Sequence, residues 1–207
     1  MNLGGARLNR EHILGLDNEE RTVKFSELAI AGAWLAQSPV HEDERGFFRE
    51  WFKAGDIETV TGRKFEVAQA NVSESKRGVV RGIHYSLAPS GQGKWVTCLS
   101  GEIWDVVVDI RPASPTFRKW IGLHLSGDSG DALFISEGLG HGFISLEESS
   151  VVSYLLTTPY APEEEYDIYP MDSDLAIEWP LSERLFSAKD ATAPILAERF
   201  AAGKLPK

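Results

Sequence analysis

From Phe65 onward the apolar residues recur mostly at every second position, in short runs broken by turn formers, and this pattern restricts the fold more than any other property of the chain. In Ile103 to Ile110, the residues Trp104, Val106, Val108 and Ile110 fall on one side of an extended backbone, with Asp105 and Asp109 on the other. That alternation predicts a strand with a single core face. Lys94 to Leu99 precedes it across Ser100-Gly101, a connection short enough to close a hairpin. Arg111-Pro112 and Ser114-Pro115-Thr116 break the next connection, after which Trp120 to Leu125, Ala132 to Ile135, His141 to Leu146 and Val151 to Leu156 continue the strand pattern. Short strands with turn signals roughly every 8–12 residues predict a β-sandwich or barrel.

Outside this region the signals are sparser. Phe25 to Trp34 predicts one short first strand, and Phe47 to Phe52 a strand or the lead into a helix after the polar turn His41 to Gly46. Asp56 to Val60 predicts a helical turn ended by Gly62. Ala191 to Ala202 predicts a C-terminal helix, with Pro194 in its first turn, Leu196 and Phe200 on one face and Gly203 as its cap. Residues 1–22 are polar and aperiodic, and the apolar Ile13 to Leu16 are too few for a signal-peptide core. The expectation is a flexible or appended arm over 1–22 and a single domain over 23–207.

Charge and cysteine content narrow the function. A formal net charge of −10 argues against a nucleic-acid partner, which demands a basic footprint, so any anionic ligand must be held by a local basic pocket. No apolar run is long enough to cross a bilayer, which predicts a cytoplasmic protein with no membrane partner. The single cysteine, Cys98, excludes an intrachain disulfide and a multi-thiolate zinc site; in a strand-like run it reads as a small core residue.

Chemistry concentrates between Gln69 and Lys94. His84 lies in a segment rich in Val, Ile and Tyr, with Arg81 three residues before it and Lys94 ten after. A neutral imidazole flanked by fixed cations suits a general base acting on an anionic ligand, while a half-buried histidine among surface cations is the plainer alternative. As a metal ligand His84 lacks a second histidine two residues on; Tyr85, Ser86 and Leu87 follow instead. His124, between Leu123 and Leu125, reads as a surface or satisfied histidine, and His141 has small neighbours that leave room around its ring. Asp190 is distant in sequence, but a C-terminal segment folding back can place its carboxylate on the imidazole. Tyr154 shares a strand face with Val152 and Leu156, as a core residue with its hydroxyl at the rim or as a proton donor opposite the histidine.

Together these residues resemble the dTDP-4-dehydrorhamnose 3,5-epimerase family from about Gly32 to the C-terminus. The resemblance rests on an ordered string: Asp43-Glu-Arg-Gly-Phe-Phe-Arg-Glu50, Gln69-Ala-Asn71, Val80-Arg-Gly-Ile-His84, Gln92-Gly-Lys94 and Asp105-Val-Val-Val-Asp-Ile-Arg111, then Ser114-Pro-Thr-Phe117 and Glu137-Gly-Leu-Gly-His-Gly-Phe143. Tyr160-Ala-Pro-Glu-Glu-Glu165, Asp174-Leu-Ala-Ile-Glu-Trp-Pro180 and Ser187-Ala-Lys-Asp190 complete it.

The resemblance implies a mainly β, metal-free cupin jelly roll with short peripheral helices and a C-terminal helix, a homodimer that epimerises a dTDP-linked 4-keto-6-deoxy sugar without a cofactor. In that pattern His84 matches the base, Asp190 its partner and Tyr154 the acid on the opposite sugar face. Arg45, Glu50, Gln69, Asn71, Arg81, Lys94, His141, Glu165 and Lys189 match substrate-binding positions, and Phe47 or Phe48 can stack on a thymine. Departures are Ala70, where many members carry Asp, Gly140, where alanine is frequent, and Pro159, where some carry a tyrosine beside Tyr160. Relatives in antibiotic-sugar pathways share such features, and some epimerise only C3 or only C5. Inversion at both carbons is therefore the first expectation, single-position epimerisation the second, and a non-catalytic nucleotide-sugar-binding jelly roll the alternative of another class.

Overall fold

The computed structural model describes residues 23–89 and 91–207; the arm expected over 1–22 lies outside the described residues. Along the chain come β1 (Lys24–Glu27), β2 (Ala33–Gln37), β3 (His41–Asp43) and β4 (Gly46–Phe48), then α1 (Ala54–Thr61). The central run holds β5 (Gln69–Ser75), β6 (Val80–Ser86), β7 (Lys94–Ser100), β8 (Glu102–Asp109) and β9 (Trp120–Ser126). It continues through β10 (Asp131–Ile135), β11 (Leu139–Ser145), β12 (Ser150–Leu156) and β13 (Glu165–Asp167), and ends with α2 (Ala188–Ala191) and α3 (Leu196–Ala201).

Two antiparallel sheets face each other in a jelly roll. One has the order β1-β2-β10-β7-β12-β5 and the other β13-β6-β11-β8-β9, with β3-β4 a separate hairpin. Ser100-Gly101 does not close a hairpin: β7 belongs to the first sheet and β8 to the second, so the turn is a corner at which the chain changes sheets. Gly101, at φ 73°, makes that corner where a side chain would meet the Ser149 carbonyl.

The core has three layers, which corrects the single-faced strand expected at β8. Ile103 and Val107 pack between the sheets with Val96, Cys98, Leu133 and Val152. Val106, Val108 and Ile110 pack on the outer side, under Ile168, Leu175, Trp179, Leu196 and Leu205 of the C-terminal segment. On the far side of the first sheet, Trp95, Phe134 and Leu155 are covered by Ile57 of α1 and by Phe65. Asp105 and Asp109 therefore point into the interior, where each is buried with dedicated partners. Asp109 accepts from Arg111, Ser114 and Thr116, tying down the loop after β8.

The periphery differs in smaller ways. The first strand is two strands, β1 and β2, paired antiparallel. The segment after the polar turn supplies β4 and then leads into α1, which ends at Gly62 in the left-handed conformation. The predicted C-terminal helix is two short ones: Pro194 lies between α2 and α3, and Gly203 (φ 63°) closes the second, its N–H bonding Phe200 O while Lys204 N–H bonds Arg199 O. Leu196 is buried but Phe200 is exposed, so the two do not share one apolar contact. No helix among the described residues is long and apolar enough to cross a membrane.

Candidate active site

The two sheets part at one end around a cleft of about 260 Å³. Its first wall comes from β5, β12 and β7, where Gln69, Leu156 and Lys94 are register partners in one row and Asn71 and Tyr154 in the next. Residues two apart on a strand share a face, so this pairing lines Gln69, Asn71, Tyr154, Leu156 and Lys94 along one side. The facing wall comes from β6 and β11, where His84 and His141 are register partners, and from β13, which adds Glu165 and Tyr166.

A bulge in β6 shapes that wall. His141 pairs with His84 and Phe143 with Arg81, so three residues of β6 match two of β11. In a regular strand Arg81 and His84, three positions apart, would point to opposite faces; the extra residue brings both to the cleft. Glycine makes the bulge possible. Gly82 has φ 134°, and a Cβ there would come within 2.5 Å of Gly142 Cα.

His84 Nε2–H donates to Asp190 Oδ1 at 2.6 Å. The carboxylate reaches it from the short α2, whose cap Ser187 accepts from the Asp190 N–H at 3.0 Å and donates to Oδ2 at 2.9 Å. Burial pushes the Asp190 carboxyl up, but the His84 bond and charge, the Ser187 hydroxyl and Lys189 outweigh it and leave it below the usual carboxylate range. The second histidine has its own anion: His141 Nε2 lies 2.8 Å and 3.0 Å from the two oxygens of fully buried Asp105. Lys94, 8 % exposed, reaches the His84 carbonyl at 3.4 Å. Burial pulls its ammonium down to about 8, against the pull of Glu165 and Asp105 in the opposite direction.

The expected site residues divide into two groups. His84, Tyr154, Gln69, Asn71, Arg81, Lys94, His141, Glu165 and Lys189 line this one cleft, and Asp190 stands behind His84. Arg45 and Glu50 do not line it: Arg45 sits on the exposed β3–β4 hairpin, paired to Asp43, and Glu50 follows that hairpin beside Lys53. Phe47 and Phe48, on the same hairpin, are 59 % and 70 % exposed. Sequence reasoning gave no role to Gln92, which donates to Glu165 and Thr158, or to Tyr160, Tyr166 and Phe143, which also line the cleft. It also placed Asp105 on the wrong side of β8; its position in the Asp105 to Arg111 motif was the available signal. His124 is exposed and bonded to Glu102, away from the cleft lining.

A sequence model of the family described as dTDP-4-dehydrorhamnose 3,5-epimerase matches residues 27–198. The chain belongs to this family. It is 47 % identical over 181 residues to the dTDP-4-dehydrorhamnose 3,5-epimerase of Mycolicibacterium smegmatis, covering 87 % of this chain and 89 % of that one. Among solved structures it is similar to NovW, a 4-keto-6-deoxy sugar epimerase from the novobiocin biosynthetic gene cluster of Streptomyces spheroides, with 41 % identity, a TM-score of 0.88 and coverage of 93 % and 97 % of the two chains. It is equally 41 % identical to ChmJ, a 3'-monoepimerase from Streptomyces bikiniensis in complex with dTDP-quinovose, with a TM-score of 0.84 and coverage of 87 % and 91 %.

Proposed function

We propose that the protein is a cofactor-independent epimerase that inverts C3 and C5 of a dTDP-4-keto-6-deoxyhexose, converting dTDP-4-dehydro-6-deoxyglucose to dTDP-4-dehydrorhamnose. The observation that carries this reading is the placement of the His84–Asp190 pair and Tyr154 on opposite walls of one cleft that also holds a buried lysine. Both carbons lie α to the C4 ketone, so loss of either proton gives an enolate. With Nε2–H held by Asp190, His84 Nδ1 is the free base; it takes the proton, and the C–H electron pair moves into the carbonyl. Asp190 fixes the tautomer and stabilises the imidazolium. The Lys94 ammonium offsets the charge growing on the oxygen, as an oxyanion-hole donor does. The Tyr154 hydroxyl then delivers a proton to the opposite face of the same carbon. Solvent removes the proton from His84 and restores the one on Tyr154. Only protons move, so no redox cofactor enters the balance.

Arg81 and Lys189 supply cations for the diphosphate at the mouth of the cleft. Arg45, Glu50, Phe47 and Phe48 lie on or next to a hairpin outside their own cleft, and in a homodimer this hairpin completes the cleft of the partner subunit. A second reading, inversion at one carbon only, is supported by the similarity to ChmJ and by Pro159 next to the cleft residue Tyr160. Incubation with the keto sugar in deuterated water tests both. Label at C3 and C5 of the product is the expected result, label at one carbon selects the second reading, and no label at either overturns epimerisation.

A further inference from the structure

β13 is the shortest strand of the cleft wall. It has three residues and pairs along one edge only, with β6, yet it carries Glu165 and Tyr166 into the cleft and sets Asp167 beside His84 as its register partner. Directly opposed residues of an antiparallel ladder project to the same face, with Cα atoms roughly 4.5–5.5 Å apart. By that register the Asp167 side chain leaves the ladder on the His84 face, on the side away from His141.

That carboxylate is engaged from α3. Arg199 Nε–H donates to the Asp167 carbonyl at 2.8 Å and its terminal N–H to Asp167 Oδ1 at 2.9 Å, with both side chains largely buried. The guanidinium lies over the Tyr166 ring, 5.3 Å from its centroid, and Lys204 lies over the same ring at 5.4 Å. Tyr85 stacks on Tyr166 at 5.8 Å, and its hydroxyl donates to Lys204 O at 2.6 Å. One side chain from the C-terminal helix therefore fixes backbone, carboxylate and ring of β13 together.

We propose that Arg199 is a positioning residue for this active site, clamping β13 in register and keeping the Asp167 carboxylate paired so that Asp190 alone serves as the anion of His84. The inference rests on His84 being the base. Other charged groups face His84 too: Asp190 and Lys189 from α2, Arg81 from its own strand, and Lys94 from β7. Glu165 of β13 is engaged by Gln92, His141 of β11 by Asp105, and Tyr154 faces from β12. Asp167 differs from Asp190 and Glu165 in being paired to a guanidinium, which comes from α3. Removing the guanidinium leaves a buried anion one ladder position from the imidazole, which favours the protonated ring.

The test is the pH profile of kcat/KM for the Arg199→Met variant, which keeps the apolar stem. Loss of activity on the acid side is expected to set in about half to one pH unit higher than in the native enzyme, with KM raised several-fold and kcat at the optimum within about three-fold. Arg199→Lys restores the acid limb but not KM, because an ammonium keeps the charge and loses the fork. Should Arg199→Met fail to fold, Asp167→Asn moves the acid limb the other way, by leaving the guanidinium unpaired. A purely structural clamp lowers the melting temperature and leaves the limb in place; an unmoved limb in folded Arg199→Met, or in Asp167→Asn, overturns the proposal. Absence of turnover in the native protein instead defeats the epimerase reading.

Discussion

His84 and His141 are register partners across β6 and β11, and each imidazole is bonded through Nε2 to a buried carboxylate from a different element, Asp190 of α2 for the first and Asp105 of β8 for the second. Two adjacent rings are thus oriented independently. The pairing also separates their environments, because Asp190 is held by a helix cap at the edge while Asp105 is sealed between the sheets.

Asp190→Asn is expected to lower kcat by about 10²-fold or more, since the amide cannot stabilise the imidazolium. The Ser187 cap is retained, so thermal unfolding stays close to that of the native protein. Steady-state kinetics beside a melting curve checks this; an unchanged rate contradicts the role given to Asp190.

The role proposed for Lys94 predicts an alkaline limit. With its ammonium pulled down to about 8, turnover is expected to fall as pH rises through about 8, and Lys94→Met is expected to lose at least about 10²-fold at every pH. Stability runs in the opposite sense. Between about 8 and the ordinary lysine value of 10.5 the unfolded chain binds more protons than the folded one, so the folded state gains with rising pH across that window. At neutral pH Lys94→Met is therefore expected to be more stable, by up to about 3 kcal/mol, in denaturant titrations.

Asp109 contributes to acid stability. Burial pushes its carboxyl up, but bonds from Arg111, Ser114 and Thr116 bring it down to about 2. Its folded value lies below the ordinary 3.8, so its contribution is complete above about 4 and is lost as pH falls through about 2. Asp109→Asn is expected to destabilise the fold by about 2 kcal/mol at pH 7 and to flatten that acid dependence, with KM unchanged. Chemical denaturation at pH 7 and pH 3 makes the comparison.

The β3–β4 hairpin gives a prediction by complementation. On the proposed homodimer, in which each hairpin enters the partner's cleft, Arg45→Ala and His84→Ala chains are each expected to have low activity, and a co-refolded equal mixture to recover about a quarter of native activity, because half the dimers are then mixed and one of their two clefts is intact. No recovery in a mixture shown to be dimeric removes the hairpin from the partner's cleft.

The local features of the chain were legible without coordinates. Period-two runs marked β7 to β12 within a residue or two, because a strand's faces are set by alternation alone. Gly62 marked the end of α1, and the ordered motifs identified the family and most of the residues now seen in the cleft. What alternation cannot encode is which face is covered, or by what. β8 is buried on both faces because the C-terminal segment packs on its outer side, and Ser100-Gly101 turns a corner because β7 finds partners in β10 and β12. Arg81 and His84 reach one cleft only through a bulge that requires the Gly82–Gly142 contact, and His84 meets Asp190 across 106 residues of sequence. Short-range sterics and polarity act along the chain and so are written in it residue by residue; burial and hydrogen-bond partnership are properties of pairs distant in sequence, and packing alone decides them.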